Sequence, residues 1–543
     1  MSALGHPTWF RSGGRAIEGW VHRPDDGRAV GAVVIAPSLA QESQVSYRAL
    51  RVLAITAARR GWVAVRFAWS GQGDSEPAQA GLDLVEAWRQ DLRAAVRLAE
   101  HAAGRTGVDV VGFRVGAAVA ATTAAPGIRS RVLWEPIGGR AFLRRHEALR
   151  KVALPDGFPL SADGVEVSSY RFAAADAAAI RGLGDPTASG PGELPDGTRI
   201  VFEDDPETAA RLYGTEQLLA RAPLGSIDRL LGALVPAEPV ALPAWAPEAE
   251  AVVVDRESGL SVRQRFVAIG ADRLPGIYTA PVDAERRPAA ALLVPAGGEA
   301  KGVNRVWAPA SRRLGAHGVA NLRADPRGFG DAAEVADIRD PNLLSESVAA
   351  DAGAMAAWLH TESGAPVTGV GVCAGAWVIA RAATRVPLRR IVMINNQAWR
   401  CSSEYYRDIF ERRQDAPLGG GATRASVDGS LEPAQGPGPL RAFKDAVRAR
   451  SPYPLRRVLA RFGVLETVEQ VLRPVPRTTS VRLLFGPEDQ PWFSAMDGEI
   501  GFERLRAGGR RMSLDLDART DHALLSHSAY ETVMHVLDEE FCR

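Results

Sequence analysis

The chain reads as an α/β protein in which one doubly wound, mostly parallel sheet is built twice in tandem. Three observations carry that prediction. Short β-branched runs alternate with helical stretches of ten to fifteen residues. A Gly-x-Cys-x-Gly turn, within residues 366–376, joins one such run to an alanine-rich helical segment. Landmarks also recur about 258 residues apart, the mark of a duplicated domain.

The second half is the more informative. Ala290–Val294 is a buried-strand run ending in the small-residue loop Pro295-Ala296-Gly297-Gly298. Asn304–Leu314 has a helical pattern, and Gly318–Arg323 a strand pattern that leads to Asp325-Pro326-Arg327-Gly328-Phe329-Gly330-Asp331. The next strand rises into Gly371-Val372-Cys373-Ala374-Gly375. Flanking glycines let the backbone close tightly enough to lift one strained side chain above the sheet, a nucleophile elbow with cysteine in place of serine. The same turn frees the N–H of Ala374 to bind an oxyanion, with a second donor expected from Gly297 or Gly298.

Two partners follow in order. Val481–Phe485 reads as a strand that ends in Gly486-Pro487-Glu488-Asp489, and Arg511–Leu516 as another that leads to Asp521-His522-Ala523. A cysteine needs a neighbouring base to become a thiolate, and a carboxylate must hold the imidazole in one tautomer. Cys373, Asp489 and His522 therefore form a candidate triad, in the chain order of the α/β-hydrolases. They would meet beyond the carboxyl ends of the strands, where such sheets bind ligands. Asp489 is preferred to Glu488, as the turn residue that points inward.

The first half repeats the landmarks. Pro37 precedes Pro295 by 258 residues, Gly71 precedes Gly328 by 257, and Gly112 precedes Gly371 by 259. Its elbow carries Arg114, whose guanidinium is not deprotonated and cannot attack a carbonyl. No histidine occurs between His146 and His317, so this copy is expected to be inactive. Arg114 is either an anion-binding relic or ion-paired with Glu135 or Glu42.

Boundaries follow from composition. Four prolines in 234–250 place a semi-rigid linker at 236–255, between a degenerate domain at 1–235 and a catalytic one at 256–543. Strands at Val262–Ile269 and Leu274–Ala280 open the latter. About eighty residues separate Asn396 from Val481, with helical runs at 440–449 and 454–472. This insertion, about 400–476, is expected to form a cap. Trp399, Tyr405, Tyr406 and Trp492 could line a pocket there or simply pack. Residues 183–197 and 415–439 are Gly/Pro-rich and read as a surface loop and a mobile stretch.

Pro37-Ser38-Leu39-Ala40-Gln41-Glu42, Ser46-Tyr47-Arg48, Arg66-Phe67 and Gly71-Gln72-Gly73-Asp74-Ser75 resemble the bacterial α/β-hydrolases encoded with exosortase systems. The second half, through Gly371–Ala376, Asn304-Arg305 and Asp521-His522, is similar to a neighbouring group with a Gly-x-Cys-x-Gly elbow. The resemblance implies the α/β-hydrolase fold and, in the second half, Cys373 as nucleophile with Asp489 and His522. It names no substrate.

Composition narrows the classes. With 65 basic and 64 acidic residues and a net charge of +1, nothing suggests nucleic acid, which calls for a clustered basic face. Three cysteines, Cys373, Cys401 and Cys542, are too few for a disulfide framework and lack metal-ligand spacing. The N-terminus lacks a signal-peptide pattern and no window is apolar enough for a membrane span, so a cytoplasmic location is expected. The reading is an ester or thioester hydrolase, or an acyltransferase with an amine or alcohol acceptor, needing no cofactor or metal. The alternative is a non-catalytic hydrolase-fold scaffold or binding protein.

Overall fold

A computed structural model describes residues 5–79, 81–154, 158, 164–188, 194–214, 217–296, 298–332, 342–415 and 439–542. Gly297 and the glycine-rich 416–438 fall outside the described residues. The chain divides into two compact units, Met1–Lys151 with Leu160–Phe266, and Val152–Pro159 with Val267–Arg543.

The first unit holds a seven-stranded sheet. Its strands are β1 (His6–Ser12), β2 (Arg15–His22), β3 (Gly31–Ala36), β4 (Trp62–Phe67), β5 (Val108–Phe113), β6 (Ile128–Trp134) and β7 (Thr198–Val201). They lie in the order β1-β2-β4-β3-β5-β6-β7. β2 runs antiparallel to β4, and β4, β3, β5, β6 and β7 are parallel to one another.

The second sheet has nine strands: β8 (Glu250–Val254), β9 (Ser261–Ile269), β10 (Leu274–Pro281), β11 (Ala290–Val294), β12 (Ala320–Ala324), β13 (Val367–Val372), β14 (Arg390–Ile394), β15 (Ser480–Phe485) and β16 (Met512–Leu516). Their order is β8-β9-β10-β12-β11-β13-β14-β15-β16. β10 is antiparallel to β12, and from β12 to β16 every pairing is parallel. From the second strand of the first sheet and from β10 onward the two orders coincide. The fold is thus α/β, with two large, mostly parallel sheets of matching strand order. The second sheet extends one strand further, and His522 lies in the loop after that strand.

The central strands are apolar on both faces because helices cover both. In the first unit Val34, Val65, Val110 and Leu133 share a core with Trp88 and Leu92 of the helix Leu84–Ala103. In the second, Leu293, Val370, Val392 and Leu484 meet Trp307 of the helix Trp307–Ala316 and Leu537 of the helix His527–Phe541. The long helices before each elbow have matching ends. Asp83 accepts from the Glu86 N–H, and Ser345 from the Val348 N–H, so each N-terminus has a side-chain cap. Gly104 (φ 65°) and Gly364 (φ 67°) turn the chain out of those helices.

One predicted helix is divided. The run 454–472 forms Tyr453–Arg461 and Val468–Leu472, separated at Gly463 (φ 72°). Thr467 starts the second piece with a capping box to Gln470. Apolar periodicity continues across the gap, but a left-handed glycine followed by an N-cap ends one helix and nucleates another.

Candidate functional site

The elbow forms because only small residues fit around it. A Cβ on Gly371 would lie 2.2 Å from the Gly375 carbonyl oxygen, and one on Gly375 would lie 2.7 Å from that of Val294. Cys373 is held at φ 50°, ψ −119° at the head of the helix Ala374–Ala382, a conformation that L-residues rarely adopt. Its N–H donates to the Ile394 carbonyl at 2.8 Å. The thiol is half-buried. Ala374 is the first helical residue, so its N–H has no acceptor within the helix. Gly298 is buried in the loop that follows β11.

His522 and Asp489 meet at 2.6 Å, imidazole Nδ1 to carboxylate Oδ1, and both are fully buried. Glu488 does something else: its Oε2 accepts the backbone N–H of His522 at 3.2 Å. Burial opposes charge on the imidazole. The Asp489 carboxylate and the Cys373 thiol outweigh it and lift the His522 pKa well above the ordinary value. The buried Nε2 makes no conventional hydrogen bond, and Cys373 is an electrostatic neighbour of the ring. With Nδ1 on the acid, Nε2 is the ring nitrogen left for proton transfer, as a triad base requires.

Three amides brace this arrangement. Gln397 Nε2 donates to Asp489 Oδ1 at 2.9 Å and lies 3.1 Å from His522 Nδ1. Asn395, in the left-handed region at φ 52°, donates to the carbonyls of Asp521 (2.9 Å) and His522 (3.3 Å) and accepts the Gly486 N–H at 3.0 Å. One side chain thereby ties the acid loop to the histidine loop. Asn304, also at positive φ, donates to the carbonyls of Ala523 and Leu524. Asp521 caps the turn beyond, accepting the N–H groups of Leu525 (2.6 Å) and Ser526 (2.9 Å). Asn395 and Gln397 were not singled out in the sequence. The signal for them is the amide run Asn395-Asn396-Gln397 directly after the buried strand β14.

The aromatic residues of the insertion pack mainly with one another and with the core. Trp399 is wholly enclosed against Phe485 and Phe493. Tyr406 lies edge-on to Trp377, and its hydroxyl accepts the Arg400 N–H. Tyr405 lies under the Arg400 guanidinium at 4.0 Å, and Trp492 is half-buried on the helix Gln490–Ala495.

In the first unit the elbow persists with other side chains. Arg114 sits at φ 54°, ψ −122° and pairs with Glu42 at 3.0 Å, both buried. It also donates to the Glu135 backbone carbonyl, and its guanidinium lies 4.0 Å from the Tyr213 ring. Burial works against the Glu42 charge, but Arg114 together with His146 and Arg145 holds the carboxyl below its usual value. Glu203, two residues after β7, receives bonds from Trp134 Nε1 (2.8 Å) and Ser226 Oγ (2.6 Å). The groups near this elbow are engaged with one another.

One cluster among the described residues brings metal-type donors together: His317, Asp538 and Cys542, with ligand atoms within 4.8 Å of each other. Arg313 already holds Asp538 through two bonds, at 2.9 and 2.6 Å. Burial and that carboxylate push the Cys542 thiol up to about 11. Both facts oppose a metal thiolate there. No helix among the described residues is long and apolar enough to cross a membrane.

No protein-family model matches the chain, and no curated protein matches it. Among solved structures it is similar to a dienelactone hydrolase from Anabaena variabilis, at 15% identity and TM-score 0.30 over 52% of this chain and 97% of that one. A lidless α/β serine hydrolase from Xanthomonas campestris gives 14% and 0.29 over 55% and 95%. The acylaminoacyl peptidase of Pyrococcus horikoshii gives 10% and 0.32 over 52% and 41%.

Proposed function

We propose that the second unit is an acyl-transfer enzyme, an ester or thioester hydrolase or an acyltransferase, working through Cys373, His522 and Asp489. The observation that carries this reading is the 2.6 Å bond from Asp489 to His522 Nδ1, with the strained Cys373 as electrostatic neighbour of the same imidazole. The resemblance of the elbow to the Gly-x-Cys-x-Gly group points the same way.

In this mechanism the Cys373 thiol passes its proton to His522, and the sulfur attacks the substrate carbonyl. The new S–C bond moves the carbonyl electron pair onto oxygen. The Ala374 N–H and a donor from the Pro295–Gly298 loop stabilise that oxyanion, commonly the largest electrostatic contribution in such sites. As the oxyanion collapses, the C–O or C–S bond to the leaving group breaks and His522 returns the proton to it. The thioacyl-enzyme is then attacked by water or by an amine or alcohol, with His522 taking the proton from the incoming group and returning it to Cys373. Asp489 fixes the imidazole tautomer and stabilises its charged form. The insertion between β14 and β15 acts as a cap that limits water. Arg114 cannot replace the nucleophile, so the first unit is structural.

The test is mass spectrometry after brief exposure to an activated thioester. An acyl adduct on Cys373, lost in Cys373→Ala together with turnover, is the expected outcome. Undiminished turnover in a folded Cys373→Ala protein would overturn the proposal.

A further inference from the structure

A cavity of about 590 Å³ opens among the helices between β14 and β15, and the acyl-transfer reading makes no use of it. Its volume is that of a small-molecule site. Cys401, Val458, Pro474, Arg457, Arg461 and Arg473 contribute to its lining. Cys401 Sγ donates to the Gln470 carbonyl at 3.1 Å and receives a 3.6 Å contact from Arg381. Arg381 lies eight residues along the helix that begins after Cys373, about 12 Å at 1.5 Å per residue. None of Cys373, Asp489 and His522 lines the cavity.

Its charge is out of balance. Glu469 is the one acid in the lining, and it is already shared by Arg457 (2.5 Å) and Arg504 (3.3 Å). Arg461 and Arg473 are exposed, and neither has a carboxylate partner among the described residues. Positive charge accumulates just beyond. Arg510 donates to the carbonyls of Val475 and Arg473, and its pKa is lowered by burial and then by the charges of Arg477 and Arg473. Two uncompensated guanidinium groups call for more than the single charge of a carboxylate, and their planar donors suit phosphate oxygens.

We infer that this cavity binds a phosphate or diphosphate ester, with Arg461 and Arg473 holding the anion and Val458 and Pro474 facing its organic part. The inference is independent of acyl transfer.

The test uses the full chain with Cys373→Ala and Cys542→Ala, which leaves Cys401 as its one thiol. Inorganic pyrophosphate and phenyl phosphate are titrated by calorimetry, and Cys401 alkylation by iodoacetamide is followed at alkaline pH. The expected result is saturable binding with Kd below about 1 mM, within reach of a few charge-assisted bonds, and slower alkylation. Arg461→Gln with Arg473→Gln should weaken binding by about tenfold or more, as should each single change in part, whereas Arg506→Gln should not. Equal binding of benzoate, unchanged binding in the double variant, or no saturable binding and no protection would each overturn the assignment.

Discussion

Arg114 and Cys373 stand on the same backbone, at φ 54°, ψ −122° and φ 50°, ψ −119°. Each donates its N–H to the last residue of the next strand, Trp134 for one and Ile394 for the other, at 3.0 and 2.8 Å. The strained turn is common to both copies, and the chemistry of its central side chain is not.

That equivalence makes opposite outcomes testable at matched positions. Glycine relieves the strain at either elbow, so Cys373→Gly should raise unfolding stability by about 1 kcal/mol while removing acyl transfer. Arg114→Gly leaves Glu42 buried beside less positive charge, and should cost about 3 kcal/mol. Denaturant titration of both variants measures the two signs.

Asp489 and Glu488 are adjacent but serve different atoms of His522, the ring and the backbone N–H. Asp489→Asn should lower kcat/KM on an activated thioester by about three to four orders of magnitude through the wrong imidazole tautomer. Glu488→Gln keeps an acceptor for the N–H and should stay within about threefold. Steady-state kinetics of the two variants checks the division.

Gln397 donates to the oxygen of Asp489 that also receives His522 Nδ1, so it acts on the reaction through its neighbours. Gln397→Leu should lower kcat by about tenfold with little change in KM. It should also move the limb of the pH–rate profile that reports the imidazole, which a purely structural role would leave in place.

His146 is buried in the first unit, against Phe142 and beside Glu42 and Arg145. Burial is the largest cause holding its pKa down at about 4. A depressed folded pKa means stability that is complete above about 6.5 and is lost as pH falls toward 4, up to about 3 kcal/mol. His146→Phe should flatten that part of the stability–pH curve. Parallel urea titrations between pH 7 and pH 4 read the difference in slope.

Much of the fold was legible because its signals are local. Short apolar runs that lead into small-residue turns locate β11 and β15 to within a residue, since a strand covered on both faces needs a largely apolar segment. The divided helix after Arg461 was less legible, because apolar period carries across a short loop that a single left-handed glycine creates. Gly297 and residues 416–438 fall outside the described residues, so the oxyanion role at the first and the expectation for the second remain readings of the sequence.

The sequence by itself determined the two copies, their elbows, and the order of Cys373, Asp489 and His522. These depend on short-range sterics and on spacing along the chain. Tertiary structure decided the partners that the sequence left open: Gln397 for Asp489 across 92 positions, and Glu42 rather than the Glu135 side chain for Arg114 across 72. No local pattern encodes those pairs. They arise because parallel strands carry distant loops to one end of a sheet, where burial requires each polar group to find a partner.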